Sequence, residues 1–137
     1  MKKRIMVTVM ALMLSISMLA GCGGSSKDDY LNDLNEIAEF YQDMAGISDD
    51  PGEMASLLKD MNVKTSEGKA MKDDFQELIN IMNTMLENQD DADVLMKALG
   101  DISNLYESIE KHAENFVDAA EKAGVDDDDL KDFDFDF

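Results

Sequence analysis

Apolar residues recur along most of this chain at steps of three and four, the spacing of one face of an α-helix. Tyr30, Leu34, Ile37, Tyr41 and Met44 are separated by 4, 3, 4 and 3 positions, and Leu31, Ala38 and Ala45 widen the stripe. Asp29, Asp33, Glu36 and Asp43 fall on the other side, as on a solvated face. The pattern predicts a first helix over 28–45, ended by Gly46. Asp50-Pro51-Gly52-Glu53 then reads as a new start. Asp accepts from the free N–H groups of a first turn, Pro is preset for the first helical position, and Glu stands three residues after the cap. Met54, Leu57, Leu58 and Met61 give this second helix an apolar face over about three turns.

Thr65-Ser66-Glu67 opens a third helix with a capping hydroxyl and an acid near the positive end of the dipole. Its stripe is Met71, Phe75, Leu78, Met82 and Met85, flanked by Ile79 and Leu86, and Asn88-Gln89-Asp90-Asp91 makes the turn. In the fourth helix Leu95, Leu99, Ile102, Tyr106, Ile109, Ala113, Phe116, Ala120 and Ala123 alternate steps of 4 and 3 without a fault. Gly124 follows where a left-handed C-cap belongs. At ~1.5 Å per residue this helix would span roughly 50 Å. Gly100, followed by Asp101, lies inside it and could break or kink it there at a cost of about 1 kcal/mol relative to Ala, with a continuous helix the favoured expectation.

No strand pattern interrupts residues 28–124, and the connections between stripes are short. The prediction is an all-α fold, a small antiparallel up-and-down helical bundle of three longer helices and one short one. Helices one and two are expected to cover the two longer helices jointly. Ala113, Ala120 and Ala123 would allow close helix approach. Most of the long stripe is needed to close the monomer, which is therefore the expected state, although the same stripe permits a coiled-coil dimer.

The two ends of the chain differ from this body. Lys2, Lys3 and Arg4 precede a nearly continuous apolar run over 5–19, which is shorter than the ~20 apolar residues of a spanning helix. The run ends in Leu19-Ala20-Gly21-Cys22, followed by Gly23-Gly24-Ser25-Ser26. This arrangement resembles the signal peptide and lipobox of bacterial lipoproteins. The resemblance implies cleavage of residues 1–21, a diacylglyceryl thioether on Cys22, and a flexible stalk through 22–27. It also implies attachment to the extracytoplasmic face of a cell membrane, since each buried CH₂ contributes ~0.8 kcal/mol and two or three acyl chains anchor firmly.

At the other end, residues 125–137 form an acidic tail, expected to be disordered, with seven Asp against one Lys. Its last six residues alternate Asp132, Phe133, Asp134, Phe135, Asp136, Phe137. In an extended chain the three rings would share one side and the three carboxylates the other. Phe133, Phe135 and Phe137 are therefore candidate partner-binding residues. Asp132, Asp134 and Asp136 repeat the opening of a calcium loop but lack its Gly and its later Glu, so weak calcium binding is the most they predict.

Composition narrows the chemistry. Twelve Lys and Arg stand against 31 Asp and Glu, a net charge of −19, and the implied cleavage would remove three basic residues and no acids to leave −22. Such a chain does not meet a phosphate backbone, so no nucleic-acid partner is expected. A protein partner with a basic surface is the natural complement. A single Cys excludes a disulfide framework or a thiolate zinc site, and no cofactor motif is present.

His112, the only imidazole, has Ser108, Ile109, Asn115 and Phe116 one turn away, so it reads as a residue flanking the stripe. Met82 and Met85 have the spacing of a thioether copper pair but lie on the apolar stripe of the third helix and read as core. No catalytic constellation stands out, and the chain is read as a non-enzymatic interaction module. The alternatives are an envelope binder of divalent cations or a small cationic ligand, centred on Asp126 to Asp129, and a purely structural lipoprotein.

Overall fold

The computed structural model describes residues 25–46 and 50–130, and these are 84% helical with no strand among them. Five helices follow in order: α1 (Lys27–Gly46), α2 (Pro51–Asp60), α3 (Ser66–Glu87), α4 (Ala92–Lys122) and the single turn α5 (Asp127–Leu130). The chain folds as an all-α bundle.

Each of the four longer helices begins where a side chain can take up the free N–H groups of its first turn. Ser26 Oγ accepts from Asp29 N–H while Asp29 Oδ2 accepts from Ser26 N–H, a reciprocal capping box. This box begins α1 inside the stretch expected to be a flexible stalk. Asp50 Oδ1 accepts from Gly52 and Glu53 N–H and Pro51 follows the cap, as the sequence predicts. Thr65 Oγ1 accepts from Gly68 N–H to start α3, and Asp91 Oδ1 accepts from Asp93 and Val94 N–H to start α4. Helix α4 runs unbroken through Gly100.

Helices α3 and α4 form an antiparallel hairpin, which is the spine of the molecule. Alongside it α1 runs parallel to α3 and antiparallel to α4. Tyr30 near its start meets Phe116 edge-on with ring centroids 5.4 Å apart, and Tyr41 near its end meets Phe75 edge-on at 5.3 Å. Phe40 stacks on Phe75 at 5.2 Å. The large core gathers Leu34 and Ile37 of α1, Met54 and Leu58 of α2, Met71 and Phe75 of α3, and Ala113, Phe116 and Ala120 of α4.

This core occupies only the half of the hairpin farther from its turn. A second, smaller cluster of Ile81, Ala98, Leu105 and Ile109, flanked by Leu78, Met85 and Ile102, is built by α3 and α4 alone. The expectation that the first two helices cover the whole hairpin is therefore corrected. Helix α1 ends at Gly46, and at ~1.5 Å per residue its 20 residues are too short to line all 31 residues of α4.

The boundary of the expected acidic tail also moves. Gly124 adopts φ +96°, its N–H donates to the Glu121 carbonyl, and Val125 N–H donates to the Ala120 carbonyl. These two bonds make a Schellman turn, which folds the chain back onto the helix it ends. Val125 and Leu130, the last residue of α5, are consequently buried in the main core. Residues 125–130 thus belong to the bundle.

Candidate interaction surface

Two buried polar clusters hold the bundle together, and neither was legible in the helical pattern. Asp33 was expected on the solvated face of α1 but is fully buried. Its Oδ1 accepts from Lys64 N–H at 2.7 Å, and its Oδ2 accepts from Thr65 N–H at 2.8 Å and from Thr65 Oγ1 at 2.6 Å. One side chain of α1 thereby receives the free donors at the start of α3, and Thr65 in turn caps Gly68. A Cβ on Gly68 would collide with Asp33 Oδ2, so only glycine allows the two helices to approach this closely.

Glu36, also expected in solvent, accepts from Asn62 N–H at 2.7 Å. Tyr30 donates its hydroxyl to Glu67 Oε2 at 2.9 Å. Burial, then that bond and the Glu67 charge, push the Tyr30 phenol up to about 12. Burial pushes the Glu67 carboxyl up, but its own backbone N–H and the hydroxyls of Tyr30 and Ser66 together hold it below the usual range. The side of α1 that faces the 61–65 connection is therefore polar because the connection brings backbone N–H groups of Asn62, Lys64 and Thr65 that need acceptors.

The second cluster joins α3 to α4. Asp74, buried on α3, accepts from Ser108 Oγ at 3.0 Å on one oxygen, and its other oxygen lies 2.5 Å from His112 Nδ1. His112 is thus more than a flanking residue: its carboxylate partner comes from the neighbouring helix, 38 positions away, where a search within one helix does not reach. The order of contacts is Ser–Asp–His. A nucleophilic triad needs the imidazole between the hydroxyl and the carboxylate, so this arrangement acts as an interhelical tie.

Above this tie the apolar face is open. Leu99 and Tyr106 are 53% and 44% exposed, and Leu86 on α3 is 48% exposed. Leu95, Ile102 and Met82 are half-buried. These residues continue the rows that α1 covers lower down. On α3, Phe75, Ile79, Met82 and Leu86 follow steps of 4, 3 and 4, and on α4 the row Leu95, Leu99, Ile102, Tyr106 leads into Ile109, Ala113 and Phe116. Tyr106 marks the junction, since its phenol, after burial, helps push the Tyr41 phenol of α1 upward. The nine-position stripe read from the sequence is therefore corrected in its upper half. There Ala98 and Leu105 are buried against α3, while Leu99 stays 53% exposed and Tyr106, beside Tyr41 of α1, stays 44% exposed.

The remaining sequence-predicted sites give less. Cys22, Phe133, Phe135, Phe137, Asp132, Asp134 and Asp136 lie outside the described residues. Within the acidic run, Asp126 stands 3.7 Å from Lys27 Nζ, and burial with the Asp126 charge pushes the Asp129 carboxyl up. Among the described residues, no three His, Cys, Asp or Glu side chains converge as a metal site. A depression of about 620 Å³ beside the start of α2 is lined by Asp43, Asp50, Gly52, Glu53, Ser56 and Leu57, but Asp50 is committed to the helix cap. No described helix is long and apolar enough to cross a membrane. Comparison of the chain with protein-family models, with curated proteins and with solved structures finds no match.

Proposed function

We propose that this chain is a membrane-anchored extracytoplasmic bacterial lipoprotein whose helical body binds another protein and performs no catalysis. The anchor is Cys22, on the strength of the lipobox resemblance of Leu19-Ala20-Gly21-Cys22. The observation that carries the binding role is the open apolar face of the α3–α4 hairpin, where Leu86 and Leu99 keep about half their surface in water. Exposed apolar residues that continue a buried stripe are a costly surface unless a partner covers them. The aromatic residues Phe133, Phe135 and Phe137 offer a second contact of the same interaction module.

The test is crosslinking in native membranes, comparing the intact chain with a chain ended at Leu130. Truncation at 124 would remove Val125 and Leu130 from the core and confuse unfolding with lost binding. A partner retained after truncation supports the hairpin face, and one lost with residues 131–137 supports the aromatic tail. Absence of a specific partner in both refutes the interaction module. Cys22→Ser should abolish fatty-acid labelling and release the protein from membranes, and retention without label would refute the lipid anchor.

A further inference from the structure

We infer that the open groove between the upper halves of α3 and α4 is the docking site for a basic amphipathic helix of another protein. The inference rests on the interaction-module reading and names the partner's chemistry. Its geometry follows from what α1 does below. Helix α1 lies across the α3 row through Phe75 and Ile79 and the α4 row through Ala113 and Phe116, and it stops at Gly46. Met82, packed on the main core, stands where α1 ends, and Leu86 on one wall, with Leu95, Leu99 and Ile102 on the other, extends those same rows beyond it. From Leu95 to Tyr106 the groove is ~17 Å long, three turns of helix. A partner helix with apolar residues at i, i+3 or i+4, i+7 and i+11 fits that length.

Charge selects among the helices that could fill it. Residues 76–111 carry eight acids and two lysines, and Glu87, Asp90, Asp91, Glu107 and Glu110 are exposed around the groove. A second copy of the chain would set two such rims against each other. The chain's own segment 131–137 is likewise acidic, with Asp132, Asp134 and Asp136. A lysine-rich amphipathic helix instead pairs its apolar side with the groove and its charges with the rim.

The experiment uses the full chain in phosphatidylcholine vesicles and two fluorescent synthetic helices with the same leucine stripe. One carries Lys on its polar side and the other Glu. The Lys helix should bind, weaken at least ten-fold in high salt, and weaken at least ten-fold on Leu99→Asp even though that variant is more acidic. Leu86→Asn, a milder change at the other wall, should weaken binding several-fold with an unchanged melting temperature.

Equal binding of both helices would overturn the charge selection. Lys-helix binding that ignores Leu99→Asp and Leu86→Asn would reduce the contact to bulk attraction and overturn the site. A dimer that dissociates on Leu99→Asp would assign the groove to a second copy, and binding seen only after removal of 131–137 would assign it to the chain's own tail. Failure of both helices, with a partner still crosslinked in membranes, would sink the groove and leave the interaction module standing. A bound Lys helix with no partner crosslinked in membranes would do the reverse.

Discussion

The lower and upper halves of the α3–α4 hairpin are made from the same two helices, yet they are stabilised differently. Below, α1 and α2 close a core in which Ile37, Leu58, Met71, Phe75 and Phe116 are almost wholly buried, and Asp33 fixes the start of α3 against α1. Above, two helices share one small cluster, Ile81, Ala98, Leu105 and Ile109, and leave the neighbouring row in water. A two-helix layer has an inner side but no third element to shield its flanks. The difference teaches that a stripe of apolar residues specifies what must be covered without specifying what covers it.

That contrast can be broken most directly in the core. Phe116→Ala should cost about 3–5 kcal/mol, because the ring is enclosed by three helices that cannot collapse into its space. Asp33→Ala should cost about 3 kcal/mol, since Lys64 N–H, Thr65 N–H and the Thr65 hydroxyl lose their acceptor together. Leu105→Ala, in the upper cluster, should cost about 2 kcal/mol, because only two helices enclose it and they can close up. Denaturant melts of the three variants rank them, and equal losses would erase the distinction between the halves.

Two smaller effects sharpen it. Gly100 is exposed within α4, and a Cβ there meets nothing within 4 Å, so Gly100→Ala should stabilise by about 1 kcal/mol. Its benefit should appear as slower amide exchange in the upper half, and no gain there would show that the two halves unfold only together. The smallest effect concerns acid. The Glu67 carboxyl sits below its ordinary value when folded, so its contribution is present above the unfolded value and fades as pH falls through the lowered one. Thermal melts from pH 6 to pH 3 should fall less steeply for Glu67→Gln than for the native chain, and parallel curves would remove that linkage.

The positions of the helices were legible because each rests on local rules. Apolar steps of three and four marked α1, α3 and α4, and Asp50-Pro51, Thr65 and Gly124 announced their ends through caps that act within one turn. Asp33 was misread for the same reason: on its own helix it borders Asp29 and Glu36 as well as buried Tyr30 and Ile37, and its donors belong to a segment more than 30 positions away. His112 and Asp74 met through the pairing of α3 with α4, which no spacing within either helix encodes. The open face was partly written, since Leu95, Leu99, Ile102 and Tyr106 were all counted in the stripe, but their exposure was not.

By itself, then, the sequence determined an acidic all-α chain, the starts and stops of its helices, and a lipobox-like N-terminal segment. Only the tertiary structure decided that the first two helices stop short of the hairpin's turn, that Asp33 and Asp74 serve as interior acceptors, and that Val125 and Leu130 return to the core. The physical reason is range. Periodicity and capping are set by bonds within a few residues, whereas burial depends on the length and placement of every neighbour that packs alongside.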